Sequence, residues 1–426
     1  MYNILSLDGG GSWAIIQVMT LQRLYGDDAP GSHVLKNFDL VVANSGGSIV
    51  AAALFLDMKL SKIRQLFETR SERTKIFVSL PFGPITHELG IGPRYDAAAK
   101  LKGLRAVFGA DSGIKLNDAA DKINKLNKKE KRTELVIVGY QYDRERAKFF
   151  RSNPASLASG SGSTAAVTLA EAVHASSNAP INYFDKPANV RIDNRDVQFW
   201  DGAITGFNNP VMAGVIEAKA NGIANADIHV LSIGTGNTFL PLVDLKSAEH
   251  KILVAQPEKS DLPNDLQKLA SSILADPPDA ASFIAHVMLD GKISGNAARP
   301  VTTGPIVRLN PLIQPVLASR DGSDFWILPR TVRGPDHTWG QFPRDAQPAL
   351  DKDRFEALVK MDMDAVEDKE VRLIREFAQL WMDDHIPNQS VRVDGRLDCQ
   401  IGHRWFSQGL SQAIDYFGPV EQRAVA

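Results

Sequence analysis

Apolar runs of strand length alternate with helical patterns along the first half of this 426-residue chain. In the helical patterns, apolar residues recur at the spacing of an amphipathic helix. The apolar runs that predict strands are Asn3–Leu7, Phe38–Val42, Glu134–Tyr140, Val197–Trp200 and Ile228–Ile233. The helical patterns cover Ala14–Leu24, Ser48–Leu56, Leu60–Thr69, Leu169–Ser176 and Asn209–Ala220. This alternation predicts an α/β fold in which a largely parallel sheet lies between helical layers.

The pattern changes beyond Gly236. The stretch Leu266–Leu289, which is interrupted by two prolines, predicts two helices, and Ile306–Leu309 predicts a late strand. From residue 321 onward the composition shifts toward charged helical segments. We therefore expect a first domain over residues 1–320 and a mainly helical C-terminal extension over residues 321–426 that packs on it.

The composition limits the classes of function. With 48 basic and 50 acidic residues, the formal net charge is −2, so we expect no nucleic acid partner. The single cysteine, Cys399, excludes an internal disulfide framework. No run of about 18 apolar residues predicts a membrane span, and no ligand spacing predicts a metal or a cofactor. A strand starting at Tyr2 leaves no room for a signal peptide, so we expect a cytoplasmic protein.

A serine stands between an apolar strand and an apolar helix in the segment Ala43-Asn44-Ser45-Gly46-Gly47. A sharp turn at this place lifts the serine oxygen off the sheet edge, and the glycines leave room for a substrate carbonyl. The helix N-terminus favours negative charge that develops there. Ser45 is therefore a candidate nucleophile, although an ordinary glycine-rich turn between strand and helix also fits this segment alone.

Three consecutive glycines follow the first strand in Asp8-Gly9-Gly10-Gly11-Ser12. Their N–H groups are not shielded by side chains, which suits a loop that binds an anion. The oxyanion of an acyl-transfer intermediate needs such donors. In actin-like sugar kinases and acetate kinases, however, a similar turn wraps nucleotide phosphates, and the loop alone does not decide between these interpretations.

A carboxylate ends a predicted strand in Trp200-Asp201-Gly202-Ala203. The two small residues after Asp201 let it approach another loop closely, where it can accept the proton of a serine hydroxyl. Taken alone, an Asp-Gly pair is more often only a turn.

Together and in this order, the three segments resemble the patatin-like phospholipases, which are lipid acyl hydrolases with a Ser–Asp dyad. The family pattern is Asp-Gly-Gly-Gly, then Gly-x-Ser-x-Gly, then Asp-Gly-Gly or Asp-Gly-Ala, and the similar segments here are Asp8–Gly11, Ala43–Gly47 and Asp201–Ala203. Two supporting segments are also similar, Ala175-Ser176-Ser177-Asn178-Ala179-Pro180 before the aspartate and Asn208-Asn209-Pro210 after it.

The resemblance covers Tyr2–Gly236, with three departures. Ala43 replaces the first glycine of the serine motif. Trp13-Ala14 stands where the family has an arginine after the glycine loop, which removes an expected positive charge. The stretch from Asp201 to Asn208 is one residue longer than usual.

The resemblance implies a three-layer α/β/α fold with a mostly parallel central sheet, and a glycerolipid or phospholipid substrate. It implies that Ser45 is the nucleophile and Asp201 its base. The oxyanion donors would be the N–H groups of Gly9, Gly10, Gly11 and Gly46. The supporting motif residues would be Asp8, Gly47, Gly202, Asn208 and Asn209. No metal or cofactor takes part in this chemistry, and contact with a membrane surface would be transient.

Three alternatives stay open at this point. His229, His286 and His403 follow Asp201 in the chain, so one of them could complete a triad. Ala43 and Trp13 also fit a lipid-binding relative without catalytic activity. An actin-like kinase would account for the glycine loop and for Gly234-Thr235-Gly236, but it leaves Ser45 and Asp201 without roles.

Two further segments have less specific patterns. Ser71–Gly113 has weak periodicity, and the resemblance suggests a lid or substrate wall there. Lys122–Arg132 carries six basic residues and one acidic residue. This run is typical of a solvated helix face, and the alternative is a patch for anionic lipid.

Overall fold

The computed structural model describes residues 1–81, 92–155, 163–238, 280–294, 301–313, 316–320, 323–329, 348–388, 391–392 and 400–419. The centre of the predicted lid at Phe82, the first of the two helices predicted within Leu266–Leu289, and Cys399 lie outside these residues.

The strands are β1 Tyr2–Leu7, β2 Leu40–Ala43, β3 Glu134–Gln141, β4 Arg146–Arg151, β5 Ala188–Ile192, β6 Arg195–Asp201, β7 Ile228–Ile233, β8 Asn237–Thr238, β9 Ile306–Leu309, β10 Leu312–Ile313, β11 Val316–Arg320, β12 Ser323–Pro329, β13 Pro348–Leu350, β14 Val391–Arg392 and β15 Gln400–Ile401. The α-helices are α1 Ile15–Tyr25, α2 Gly31–Leu35, α3 Ser45–Phe55, α4 Leu60–Glu68, α5 Arg70–Ile76, α6 Ala97–Phe108, α7 Leu116–Asn127, α8 Leu169–Ser176, α9 Val211–Ala220, α10 Lys352–Val359, α11 Asp368–Met382 and α12 Phe406–Phe417. Residues 280–288 are also helical.

An eight-stranded central sheet organises the fold. Its order is β5-β6-β3-β2-β1-β7-β9, and β4 pairs with β3 outside this path. The five strands from β3 to β9 in this order are parallel to their neighbours, whereas β4, β5 and β6 pair in antiparallel fashion. The α/β class with a mostly parallel sheet is therefore confirmed, and so is the late strand at Ile306–Leu309.

The two faces of the sheet contact different helical layers, because successive side chains of a strand point in opposite directions. In β1, Leu5 and Leu7 join the core on the side of α1 and α3. Ile4 points to the other side, where it meets Val211 and Val215 of α9. Apolar side chains thus cover both faces, as expected of a buried parallel sheet.

The last two helices pack on the first of these faces. The stripe of Val371, Ile374, Ala378 and Trp381 on α11 is buried, so its prediction as a packing surface is confirmed. On α12, the ring of Phe417 stacks on Phe38 at a centroid distance of 5.5 Å. Within the described residues, no helix combines the length and apolar character needed to cross a bilayer.

The predicted division between residues 320 and 321 stays a prediction. Strands β11 and β12 pair in antiparallel fashion across it, with Arg320 opposite Ser323. The part after this division contains α10, α11 and α12 together with short strands.

Candidate active site

Ser45 occupies a strained turn between β2 and α3. The strand ends at Ala43 and the helix begins at Ser45, so the strand, turn and helix lie where the sequence predicts them. Ser45 has a φ of 46°, in the left-handed region that residues other than glycine rarely adopt. Strain of this kind is characteristic of functional sites and of the nucleophile elbow.

Gly46 and Gly47 let the turn touch the glycine loop. A Cβ atom at Gly46 would lie 2.5 Å from the carbonyl oxygen of Gly11, and one at Gly47 would lie 2.5 Å from that of Asp8. Larger residues would therefore push the two segments apart. The methyl group of Ala43 is buried in the main core, so the departure at this position is accommodated by packing.

The carboxylate of Asp201 lies beside Ser45. Its Oδ1 accepts hydrogen bonds from Asn44 Nδ2 at 3.2 Å and from the Ala203 N–H at 2.9 Å. Interaction with the Ser45 hydroxyl lowers the pKa of this carboxylate. The structure therefore brings together the two residues that the sequence pattern singled out for proton transfer.

Asp201 reaches this place on an antiparallel strand. β6 runs opposite to β3 and places Asp201 across from Gly139, which the apolar pattern alone did not predict. Gly202 continues into the site, where a Cβ atom would lie 2.7 Å from the carbonyl oxygen of Val138. Only glycine fits at this close approach, which explains the Asp-Gly sequence.

The surroundings of Asp201 shift its pKa in opposite directions. Burial raises the pKa of Asp201, because desolvation disfavours the carboxylate form. Interaction with the Ser45 hydroxyl, the hydrogen bonds from Ala203 and Asn44 and the charge of Lys100 lower this pKa. The net direction is upward, as expected of a buried base.

Ser176 supports the turn from behind. Its Oγ accepts the Ser45 N–H at 2.9 Å and donates to Asn44 Oδ1 at 3.4 Å. The Ser45 N–H is therefore engaged and cannot also bind an oxyanion. Asn44 links Ser176 to Asp201, because its amide nitrogen donates to the Asp201 carboxylate. Sequence reasoning assigned no role to Asn44 or Ser176, although both lie inside the motif segments.

The glycine loop requires one correction. The Gly9 N–H donates to the carbonyl oxygen of Asn208 at 2.8 Å, so the prediction that Gly9 is an oxyanion donor is wrong for this conformation. In the part of the chain that the structure describes, the N–H groups of Gly10, Gly11 and Gly46 have no hydrogen-bond acceptor. These three remain the candidate donors.

The remaining loop glycines have conformations and surroundings that exclude side chains. Gly10 and Gly11 have φ values of 150° and 53°. A Cβ atom at Gly10 would lie 2.7 Å from the Cβ of Thr235, and one at Gly11 would collide with the carbonyl group of Met363. The Thr235 hydroxyl also donates to the Gly9 carbonyl at 2.7 Å. Thr235, from the segment Gly234-Thr235-Gly236, thus holds the glycine loop in place.

The C-terminal part of the chain also touches this loop. The Ser12 N–H donates to the Met363 carbonyl at 2.8 Å, and Trp13 Nε1 donates to the Asp362 carbonyl at 3.3 Å. The indole of Trp13 is buried, with its ring 6.2 Å from that of Phe377. Trp13 therefore provides packing where the family has a charge.

Asp8 anchors the base of the loop through Arg308. The guanidinium binds both carboxylate oxygens, at 2.9 and 2.6 Å, and its Nη1 also donates to Ser232 Oγ at 2.8 Å. Both side chains are almost fully buried. Burial raises the pKa of Asp8, whereas the charge and hydrogen bonds of Arg308 lower it. Sequence reasoning missed Arg308 because it lies beyond the motif-bearing segment.

The two asparagines after the aspartate have supporting roles. The Asn208 backbone carbonyl holds Gly9. Asn209 is fully buried, and its Oδ1 accepts the Val211 N–H at 3.1 Å while its Nδ2 donates to Ser282 Oγ at 2.7 Å. The first bond engages the N–H of the first residue of α9, and the second ties this turn to the helix at residues 280–288.

His229 lies at the opposite end of the sheet from Ser45. It pairs in register with Asn3, near the beginning of β1, whereas the glycine loop follows the end of that strand. Its ring centroid lies 4.6 Å from that of Tyr416. Burial lowers the pKa of His229, which fits a partly buried structural histidine.

His286 and His403 bind other partners. His286 Nε2 lies 2.7 Å from the Lys292 carbonyl oxygen, and His403 Nε2 lies 2.9 Å from Gln412 Oε1. No hydrogen bond joins either ring to Ser45 or Asp201 in the described structure. Among the described residues, no group of three or more His, Cys, Asp or Glu side chains is placed to hold a metal ion.

Residues 5–215 match the family model described as patatin-like phospholipase, and this segment contains both Ser45 and Asp201. No curated protein matches the chain. Among solved structures, the chain is similar to the crystal structure of VipD from Legionella pneumophila, with 12% sequence identity and a TM-score of 0.32. The similarity covers 73% of this chain and 61% of the VipD chain, so the protein spans about three fifths of that structure's length. On this match, residues 5–215 form a patatin-like phospholipase domain.

Proposed function

We propose that this protein is a lipid acyl hydrolase that cleaves acyl esters of glycerolipids or phospholipids through a Ser45–Asp201 dyad. The patatin-like phospholipase domain supports lipid acyl hydrolysis in general. The observation that carries the specific proposal is the position of the buried Asp201 carboxylate against the Ser45 turn, where Asn44 Nδ2, next to Ser45, donates to Asp201 Oδ1 at 3.2 Å. A nucleophile and a base within hydrogen-bonding reach are what covalent catalysis requires.

In the first half of the reaction, Ser45 Oγ attacks the ester carbonyl carbon while Asp201 accepts the hydroxyl proton. The carbonyl oxygen becomes an oxyanion, and the candidate donors are the N–H groups of Gly10, Gly11 and Gly46. When the tetrahedral intermediate collapses, the bond to the leaving alcohol breaks and Asp201 returns its proton to that oxygen. The acyl group stays on Ser45.

In the second half, water attacks the acyl-enzyme carbonyl and gives its proton to Asp201. Collapse of this intermediate releases the fatty acid, and Ser45 Oγ recovers the proton. Asp201 thus acts alternately as base and acid, which requires it to be a carboxylate before each attack. Asn44 and Ala203 hold this carboxylate in a fixed orientation through its Oδ1.

A dyad accounts for the site better than a triad. His229, His286 and His403 are the histidines that follow the α/β-hydrolase order, and each of their rings has its contact elsewhere. The kinase alternative leaves the position of Asp201 beside the Ser45 turn unexplained, and its glycine loop falls inside the matched family segment. An inactive relative would keep the fold without needing the strained turn at Ser45.

We propose that the substrate lies in a neutral or zwitterionic lipid surface, which the protein contacts transiently. The predicted basic segment Lys122–Arg132 has its charges partly neutralised. Lys122 pairs with Asp111 at 2.7 Å, Lys129 with Asp39 at 3.3 Å and Arg132 with Asp121 at 2.6 Å. This pairing favours the solvated helix face over a patch for anionic lipid. The cytoplasmic location stays a prediction from the sequence.

The test is Ser45→Ala, assayed by hydrolysis of a short-chain nitrophenyl ester and by labelling with a fluorophosphonate probe. Both signals should be lost while the protein stays folded. Ser177→Ala is the matched control, because the Ser177 hydroxyl donates only to the Val173 carbonyl of its own helix. Equal labelling of the Ser45→Ala variant would overturn the assignment, and an unlabelled wild-type protein would favour the inactive lipid-binding relative.

A further inference from the structure

The connection between α10 and α11 binds the glycine loop from the C-terminal part of the chain. Residues 362–366 of this connection are called the strap below. The carbonyl oxygen of Met363 accepts the Ser12 N–H at 2.8 Å, and that of Asp362 accepts Trp13 Nε1 at 3.3 Å. The strap therefore holds the two residues that directly follow the three glycines.

Through Trp13, the strap fixes the peptide group that carries one candidate oxyanion donor. The Trp13 N–H donates to the Gly10 carbonyl oxygen at 3.0 Å. That carbonyl belongs to the same planar peptide group as the Gly11 N–H, so its orientation determines where this donor points. The packing is close, because a Cβ atom at Gly11 would lie 2.2 Å from the Met363 carbonyl oxygen. A displaced strap would therefore turn the Gly11 N–H.

The preceding peptide group of the loop has a different support. The Thr235 hydroxyl donates to the Gly9 carbonyl at 2.7 Å, and this carbonyl shares its peptide group with the Gly10 N–H. The Gly9 N–H is held by the Asn208 carbonyl at 2.8 Å. The Gly10 donor thus depends on Thr235, whereas the Gly11 donor depends on the strap.

A buried ion pair holds the strap in place. Asp364 is 3% exposed, and its Oδ2 accepts a hydrogen bond from Arg94 Nη1 at 2.9 Å. Arg94 is itself anchored, because its N–H and that of Tyr95 both donate to the Tyr183 carbonyl, at 3.0 and 2.7 Å. Since a buried carboxylate without a partner is costly, loss of the guanidinium would drive Asp364 toward solvent and move the adjacent Met363.

Two other arginines bind the end of the same connection. The buried Arg73 donates to the Val366 carbonyl at 2.9 and 2.7 Å and pairs with Asp368 at 2.6 Å. Arg70 pairs with Glu367 at 2.8 Å, with both side chains about half exposed. These contacts fix the beginning of α11, whereas the pair at Asp364 acts on the residue next to the one that binds the glycine loop.

We propose that Arg94 and Asp364 are positioning residues of the active site, whose ion pair sets the strap against the glycine loop and thereby aims the Gly11 N–H at the oxyanion. The inference rests on the proposed function. Donors stabilise an oxyanion most when they are oriented before the reaction and need no reorganisation during it. Both side chains act through the strap, so their effect should fall on the chemical step.

The first experiment measures kcat and KM on a nitrophenyl ester for Arg94→Met and Asp364→Leu. In each variant kcat should fall by about 10²-fold, the effect of a displacement of about 1 Å, while KM changes little. Asp364→Leu leaves no buried charge unpaired, since Arg94 is partly exposed and reaches solvent, so this variant stays folded. Arg94→Lys keeps the charge and should retain most of the activity.

The double variant and a matched control complete this experiment. Arg94→Met combined with Asp364→Leu should lose no more activity than the worse single variant, because both changes act through one contact. Arg70→Met removes the exposed pair with Glu367 on the same connection and should leave both constants unchanged. Unchanged kcat in both single variants, raised KM with unchanged kcat, or multiplied losses in the double variant would overturn the proposal.

The second experiment follows the loop without relying on activity, by amide hydrogen exchange resolved at single residues. The Ser12 N–H should exchange at least about tenfold faster in Asp364→Leu than in wild type, because its bond to Met363 opens more often. The Gly9 N–H, which Asn208 holds, should keep its rate. An unchanged Ser12 rate would overturn the proposal. If that rate rises as expected but the wild type hydrolyses no ester, the proposed function fails and the strap still holds the loop.

Discussion

Arg308 on β9 holds both carboxylate oxygens of Asp8 at the end of β1, in a bidentate ion pair that is almost fully buried. The two strands are separated by β7 in the sheet. The pair therefore ties the base of the glycine loop to a strand that lies beyond the matched family segment. It places a positive charge below the loop, whereas the family arginine would follow the loop.

Replacement of Arg308 should reduce stability strongly. Arg308→Met leaves the buried Asp8 without its partner, and breaking such a pair typically costs about 3–5 kcal/mol in free energy of unfolding. Urea unfolding measures this loss. Asp8→Asn combined with Arg308→Met should recover part of it, because no buried charge is left unpaired. Arg354→Met, which breaks surface pairs with Asp351 and Glu376, is the control and should cost less than the buried pair, about 1 kcal/mol. Equal effects of the two single variants would contradict the role of the buried pair.

The glycine loop should affect the chemical step more than substrate binding. In Gly10→Ala, the new methyl group would press on the Thr235 side chain and displace the loop. Loss of one oxyanion donor typically lowers kcat by about 10²–10³-fold, and KM should change little. Steady-state kinetics on a nitrophenyl ester separate these constants. Gly26→Ala is the matched control, since Gly26 also has a positive φ, of 94°, but open space around it. Raised KM with unchanged kcat would mean that the loop binds substrate only.

The fold could be predicted from the sequence where apolar patterns are continuous. Strands β1, β2, β3 and β7 are mostly runs of buried apolar residues, so their positions can be predicted from the sequence. The β5–β6 hairpin was only half predicted, because β5 alternates buried and exposed residues and carries Arg191. The antiparallel direction of β6 depends on its pairing with β3, which no local pattern encodes.

The sequence predicts the residues of the candidate site that lie within the motifs, but not those that lie outside them. Ser45 and Asp201 stand in short segments of distinctive composition. Lys100 lies on a helix whose polar residues suggest solvent exposure, so its burial becomes visible only in three dimensions. The hydrogen bond from the Gly9 N–H to the Asn208 carbonyl oxygen likewise depends on a contact between segments far apart in the chain.

Activity should depend on the ionisation of Asp201. Burial raises the pKa of Asp201, so the carboxylate needed as base is lost as the pH falls through a value above the ordinary aspartate value of about 4. The profile of kcat/KM against pH should therefore show an acid limb above pH 4. Full activity persisting to pH 4 would show that Asp201 is not the titrating base.

The measurement that tests the central claim most directly is kcat/KM of Asp201→Asn with a nitrophenyl ester, alongside Ala variants of His229, His286 and His403. Asparagine keeps the shape of the side chain and removes the base. We predict a fall of about 10²–10⁴-fold for Asp201→Asn, the range for a lost acid–base group, and near wild-type values for the three histidine variants. Wild-type turnover in a folded Asp201→Asn protein, or an equal loss in a folded histidine variant, would contradict the Ser45–Asp201 dyad.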